Sequence, residues 1–203
     1  MRSDSLLARA VGVIAVLSVA ACGSDHGATE ATHAAPSSSA ATTSAAASAP
    51  TTSNPYGVPS IDPPAPNEPV LTVTGGTTPL SLTLDQLNAL GTTTVTIDEP
   101  FAKKRQTFSG VPLSTVLAKA GIPETATIDT VALNAYHYAS AAQPMIDSDA
   151  MIATRRENGA IPYDQGGPIR IVFPDGTPLS SVLDAWNWSL ATINVTTTGS
   201  GSS

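Results

Sequence analysis

Cysteine is nearly missing from this 203-residue chain, and its single copy, Cys22, stands close to the amino end. The later sequence therefore has no disulfide, no thiolate metal cluster and no cysteine nucleophile, and its stability must come from core packing. Aromatic residues make up 4% and charged residues 12% of the chain, with 9 basic against 16 acidic side chains and a net charge of −7. That balance argues against a nucleic-acid partner, because phosphate binding needs a basic stripe or patch. Histidine is scarce too: His26 and His33 fall in a low-complexity stretch, which leaves His137 as the one imidazole of the later sequence. There is no GxSxG, no HExxH and no glycine-rich phosphate loop.

What is present begins with a leader. Arg2 and Arg9 flank the start of an apolar run, residues 6–21, that is shorter than the ~20 residues a spanning helix needs. It ends in "LSVAACGS", with Ala20 and Ala21 directly before Cys22, and this resembles the lipobox of bacterial lipoproteins. The resemblance implies that residues 1–21 are removed as a signal peptide and that Cys22 is lipidated, with acyl chains such as palmitate. The protein would then sit on the extracytoplasmic face of the cell membrane. Each buried methylene contributes about 0.8 kcal/mol, so two or more chains hold where one is marginal. The alternative is an ordinary secretory leader with an incidental cysteine.

Residues 22–66 are almost all Ala, Ser, Thr, Pro and Gly, a composition that cannot bury enough apolar surface to offset chain entropy. They read as a tether with a root-mean-square reach of roughly 35–40 Å, stiffening toward polyproline II at its Pro-rich end. Residues 67–198 are one domain's worth of sequence, and residues 199–203 are a Gly/Ser tail. Within the domain, "PVLTVTGG" and "LSLT" read as strands. Thr83 and Gln86 form a capping box before Leu84 and Leu87, and "TTTVTID" is a β-branched strand. Pro112 opens a second helix with Leu113, Val116, Leu117 and Ala120 inward and Gly121 at its end. "TIDTVALNAYHYAS" alternates as one strand, which puts His137 on a side with Leu133, Ala135 and Ala139 as a core-edge residue. "DSDAMIATRR" carries acid first and arginine last, as a short helix would. "PIRIVFP" and "LATINVTT" are further strands, and Trp186 and Trp188 should divide between core and cleft. The expected class is α+β, dominated by strands with short helices between them.

"GAIPYDQGGPIRIVFP", followed after a turn by "WNWSLATINV", resembles the end of the sulfite-oxidase-like, molybdopterin-binding oxidoreductase fold. "LSLTLDQLNAL", "FSGVPLSTVLAKAGI", "LNAYHYASAAQPM" and "DAMIATRRENG" are similar to earlier pieces of that family, in its order. The family's enzymes ligate molybdenum through a cysteine thiolate lying between the strand after the first helix and the "GVPL" helix. The corresponding interval here, residues 95–110, holds no cysteine, and Ser109 is its only hydroxyl near that turn. A neutral alcohol is no substitute for a soft anionic sulfur.

The resemblance therefore implies a domain without a cofactor, with molybdopterin as the alternative. Lys104, Arg105, Arg155, Arg156 and Arg170, with Tyr136 and His137, are the candidate ligand-binding residues; a pterin phosphate would want such cations. Read structurally, the same residues are a solvated basic loop, a helix end and a salt bridge within a strand. No catalytic residue and no metal ligand is expected, and "DSD" at 147–149 reads as a helix start. On this count the protein is a lipid-anchored binding or accessory module of the cell envelope, partnered by a small ligand or an envelope protein. If it is an enzyme, it is a divergent molybdopterin-dependent oxidoreductase. A spacer or assembly role would instead require a large exposed apolar patch.

Overall fold

The computed structural model describes residues 52–53 and 61–196. The leader, Cys22, His26, His33 and the tail lie outside the described residues. In chain order the elements are β1 (Thr52–Ser53), β2 (Ile61–Asp62), β3 (Pro69–Thr74), β4 (Leu80–Thr83), α1 (Leu84–Asn88), β5 (Thr93–Glu99) and β6 (Lys104–Pro112). There follow α2 (Leu113–Ala120), β7 (Thr127–Ala132), β8 (His137–Ala141), α3 (Ala142–Asp147), β9 (Met151–Arg156), β10 (Arg170–Val172) and β11 (Leu190–Val195). Single 3-10 turns occupy Tyr163–Gln165 and Leu183–Ala185.

Two sheets form the domain. One is four-stranded, β10-β9-β6-β5, and entirely antiparallel; the other is five-stranded, β4-β3-β11-β7-β8, with β3 and β11 parallel. Both sheets contribute to one apolar cluster: Leu71, Val73 and Ile193 from the second, and Ile97, Phe108, Val111 and Ile152 from the first. The helices add Leu87, Leu117 and Met145 to it. The fold is the strand-dominated α+β class with short helices between strands. Ahead of residue 67, Ile61–Asp62 pairs with Thr52–Ser53 and the Asp62 carboxylate accepts from the Tyr163 N–H at 3.1 Å.

The capping box forms as its signature requires, with Thr83 Oγ1 accepting from Gln86 N and Gln86 Oε1 accepting from Thr83 N. Gly121 takes the left-handed cap of α2 at φ 66°. Two sequence expectations fail. Residues 151–156 are not a helix but β9, a central strand whose Met151, Ile152, Ala153 and Thr154 are all buried. The charge pattern that suggested a helix is worth about 0.3–1 kcal/mol, whereas each large apolar side chain fully buried between two flanking strands is worth about 1.5–3. The acidic "DSD" closes α3 rather than opening a helix, and Asp149 has φ 49°.

Likewise, 127–140 is not one strand but the β7–β8 hairpin. Asn134 Oδ1 accepts from Tyr136 N at 3.1 Å and Ala135 turns left-handed at φ 63°, so the alternation restarts in a new phase. His137 consequently faces solvent, not the core.

Gly110 lies at the register shift between β6 and β9, and an added Cβ would stand 2.1 Å from the Ile152 carbonyl oxygen. Gly110→Ala is expected to lower stability by about 1–3 kcal/mol, as overpacking does. Urea denaturation measures this directly, and an unchanged midpoint would mean that the contact does not set the strand spacing.

Candidate functional site

Alternation in β5 and β6 turns Ile97, Glu99, Gln106 and Phe108 to the buried side, while Asp98 and Arg105 face out. Glu99 ends β5 and Arg170 begins β10, the two edges of the four-stranded sheet. Arg170 Nη2 donates to Glu99 Oε1 at 2.8 Å, and both side chains are 1% exposed. The other carboxylate oxygen accepts from Ala102 N, and the Glu99 carbonyl accepts from Lys103 N at 2.8 Å. One acidic residue thus fixes the turn that joins β5 to β6. The Arg170 guanidinium lies 4.1 Å from the Trp188 ring centroid and 5.6 Å from that of Phe108. Burial, opposed by the Glu99 charge and assisted by nearby Arg156, pushes the Arg170 pKa down to about 10, so the group stays charged at neutral pH. Its Nε is buried and has no hydrogen-bond partner.

Both residues of this pair line a cavity of about 200 Å³, together with Phe101, Lys104, Gln106, Arg156, Asp164, Gln165 and Trp188. A second cavity, about 300 Å³, shares the walls Phe101 and Trp188 and adds Asn134, Tyr136, Leu183, Asp184 and Trp186. Phe101 meets both tryptophans edge to face, with centroids 6.5 Å from Trp186 and 5.1 Å from Trp188. Trp186 is buried and Trp188 is partly open, the division expected of the pair. A third cavity, about 380 Å³, lined by Thr93, Pro112, Ser114, Met151 and Pro174 among others, contains no basic side chain.

Of the residues singled out from sequence, Lys104, Arg156 and Arg170 converge on the first cavity and Tyr136 on the second. Arg156 donates to Gln165 Oε1; Lys104 is exposed, and among the described residues neither has a carboxylate partner. Arg105 points away, held by Asp98 and Asp175, each at 3.2 Å. Arg155 is exposed and reaches only the Asn158 carbonyl, at 3.5 Å. Strand alternation separates it from Arg156, which pairs with Phe108 while Arg155 pairs with Ser109. His137 pairs with Asp129 through Nδ1 at 2.8 Å and is 58% exposed, so it lines neither cavity. The Tyr136 hydroxyl donates to the Asp184 carbonyl at 3.0 Å; partial burial and then the Asp184 charge raise its pKa above 10.0.

Sequence reasoning missed Glu99 and Phe101. The alternation Val95, Ile97, Glu99 was the available signal for the first: carried two residues further, it places a carboxylate on the buried face, and "PIRIVFP" places an arginine in a buried run. A buried charge of each sign implies that they pair. Phe101 had no such signal, because it sits on a turn.

The donor set does not fit a molybdenum–pterin group. In the interval that resemblance assigns to the thiolate, the buried anion is Glu99, already bound to Arg170, and Ser109 faces outward onto Thr94 at 2.9 Å. Among the described residues no cluster of three or more His, Cys, Asp or Glu could hold a metal ion. Lys104 and Arg156 could meet a phosphate, but neither supplies the anionic sulfur that the metal favours.

Residues 56–199 match the family described as oxidoreductase molybdopterin binding domain, and the chain belongs to that family. Among solved structures it is similar to the sulfane dehydrogenase SoxCD from Paracoccus pantotrophus, at 21% identity and a TM-score of 0.49, over 62% of this chain and 37% of that one. The chain thus spans little more than a third of that protein's length, and a likeness at this level says nothing of its own chemistry. No curated protein matches the chain.

Removing either partner of the buried pair leaves an uncompensated charge. Glu99→Ala and Arg170→Ala should each cost about 3–5 kcal/mol of stability, whereas Glu99→Leu combined with Arg170→Met should cost less than either. Denaturant unfolding of the three variants checks this; a double variant weaker than both single ones would refute the account.

Proposed function

We propose that this protein is anchored to the extracytoplasmic face of the cell membrane through lipid on Cys22. Its domain of the molybdopterin-binding family works there as a binding or accessory module without the cofactor. The observation that carries the second part is the Glu99–Arg170 pair, which commits the buried anion of the thiolate interval to a guanidinium. A hard carboxylate so engaged is a poor ligand for a metal that favours sulfur. Support for the first part is the "LSVAACGS" sequence.

A second reading, a divergent molybdopterin-dependent oxidoreductase, is favoured by one observation: Lys104, Arg156 and Arg170 line the same cavity, where a pterin phosphate would find cations. Elemental analysis and absorbance of the full chain purified from its native membrane separate the two. Molybdenum well below one equivalent and no pterin chromophore is the expected outcome, and stoichiometric molybdenum establishes the second reading instead. In the same host, Cys22→Ala should move the protein from the membrane to the soluble fraction. A variant that stays bound would overturn the anchor.

A further inference from the structure

The two cavities beside Phe101 differ in chemistry. The first is lined by three cations, Lys104, Arg156 and Arg170, and two carboxylates, Glu99 and Asp164; Glu99 is taken by Arg170, while Lys104 and Arg156 lack a carboxylate partner among the described residues, in a chain of net charge −7. Arg170, 1% exposed, also lines it, and its Nε has no hydrogen-bond partner. Buried donors of a charged group are seldom left unpaired without a function, and a bound anion is one way to complete them. The second cavity is aromatic and apolar. The exposed large hydrophobic side chains of the described residues are Phe101, Tyr136, Val182 and Leu183; three of them line this cavity and Val182 adjoins it. Its single charged group is the Asp184 carboxylate. Because Phe101 and Trp188 are walls of both cavities, a ligand whose charge sits on the cations has its body directed over Phe101 toward Tyr136 and Leu183.

We propose that these cavities act together as one bipartite site for an aromatic monoanion, a flat ring system bearing one carboxylate or sulfonate. The anionic group meets Lys104 and Arg156, and the ring rests against Phe101, Tyr136 and Leu183. Asp184 at the far end disfavours a second negative charge there, which restricts the class to monoanions. The proposal rests on the cofactor-free reading, since it gives the cationic cavity to a different occupant.

The test uses the full chain in detergent with 2-naphthoate as probe, followed by calorimetry. Trp186 and Trp188, the only tryptophans of the chain, both line the aromatic cavity and report binding there through their fluorescence. The expected result is saturable binding of 2-naphthoate, at least tenfold tighter than that of the neutral 2-naphthamide or of acetate. Lys104→Ala changes an exposed side chain that has no hydrogen-bond or ion-pair partner among the described residues, so it leaves folding intact; it should weaken 2-naphthoate roughly tenfold and leave 2-naphthamide unchanged, the loss of one charge-assisted hydrogen bond. Leu183→Ala should weaken 2-naphthoate and leave acetate unchanged.

Equal binding of acid and amide would overturn the cationic half, and equal binding of acetate would overturn the aromatic half. Molybdenum measured on the same sample separates the two readings. A metal-free preparation that does not bind 2-naphthoate overturns this site alone, whereas stoichiometric molybdenum overturns the cofactor-free reading and this site with it.

Discussion

Arg170 and Glu99 meet at 2.8 Å with both side chains 1% exposed, and much of the surrounding geometry follows from that contact. Moving either ion alone out of water costs several kcal/mol even after relaxation, so each is tolerable only because the other is there. The pair joins the end of β5 to the start of β10 and closes the antiparallel sheet across its two edges. It also sets the turn after β5, because the Glu99 carboxylate and carbonyl accept from the N–H groups of Ala102 and Lys103. That turn carries Phe101 to its place beside Trp188, and Trp188 in turn covers the guanidinium. A single ion pair thus positions the wall between the two cavities.

The same pair bears on what the domain can hold. In the interval where the sequence resemblance puts a thiolate, this chain buries a carboxylate already bound to a cation. The remaining cations are selected by backbone geometry and not by sequence proximity. Arg155 and Arg156 are adjacent, yet the alternation of β9 sends one to solvent and the other to the cavity. Lys104 and Arg105 are adjacent too, and strand alternation gives one to the cavity and the other to Asp98 and Asp175.

Local signals in the sequence were reliable where they acted over a few residues. The capping box at Thr83 and the glycine that ends α2 formed as read, because both depend on hydrogen bonds within one turn of chain. The signals that failed were those a tertiary contact could override. The acid-to-arginine gradient of 147–156 described a helix whose dipole term is small, and burial between two strands outweighed it. The apparent alternation through 127–140 ignored Asn134, whose side chain caps a turn and shifts the phase, so His137 emerged at the surface beside Asp129. The candidate site was half legible: Arg170, Arg156, Lys104 and Tyr136 were in view, whereas Glu99 and Phe101 were not.

By itself the sequence determined the class of fold, the local helix caps and the absence of a thiolate beyond Cys22, because composition and short-range periodicity are properties of the chain before it folds. Only the tertiary structure decided which charges face one another. Glu99 and Arg170 are separated by 71 positions, and no local preference connects them. Their pairing exists because two sheet edges are brought together around an apolar core, where a lone charge of either sign would be too costly to keep.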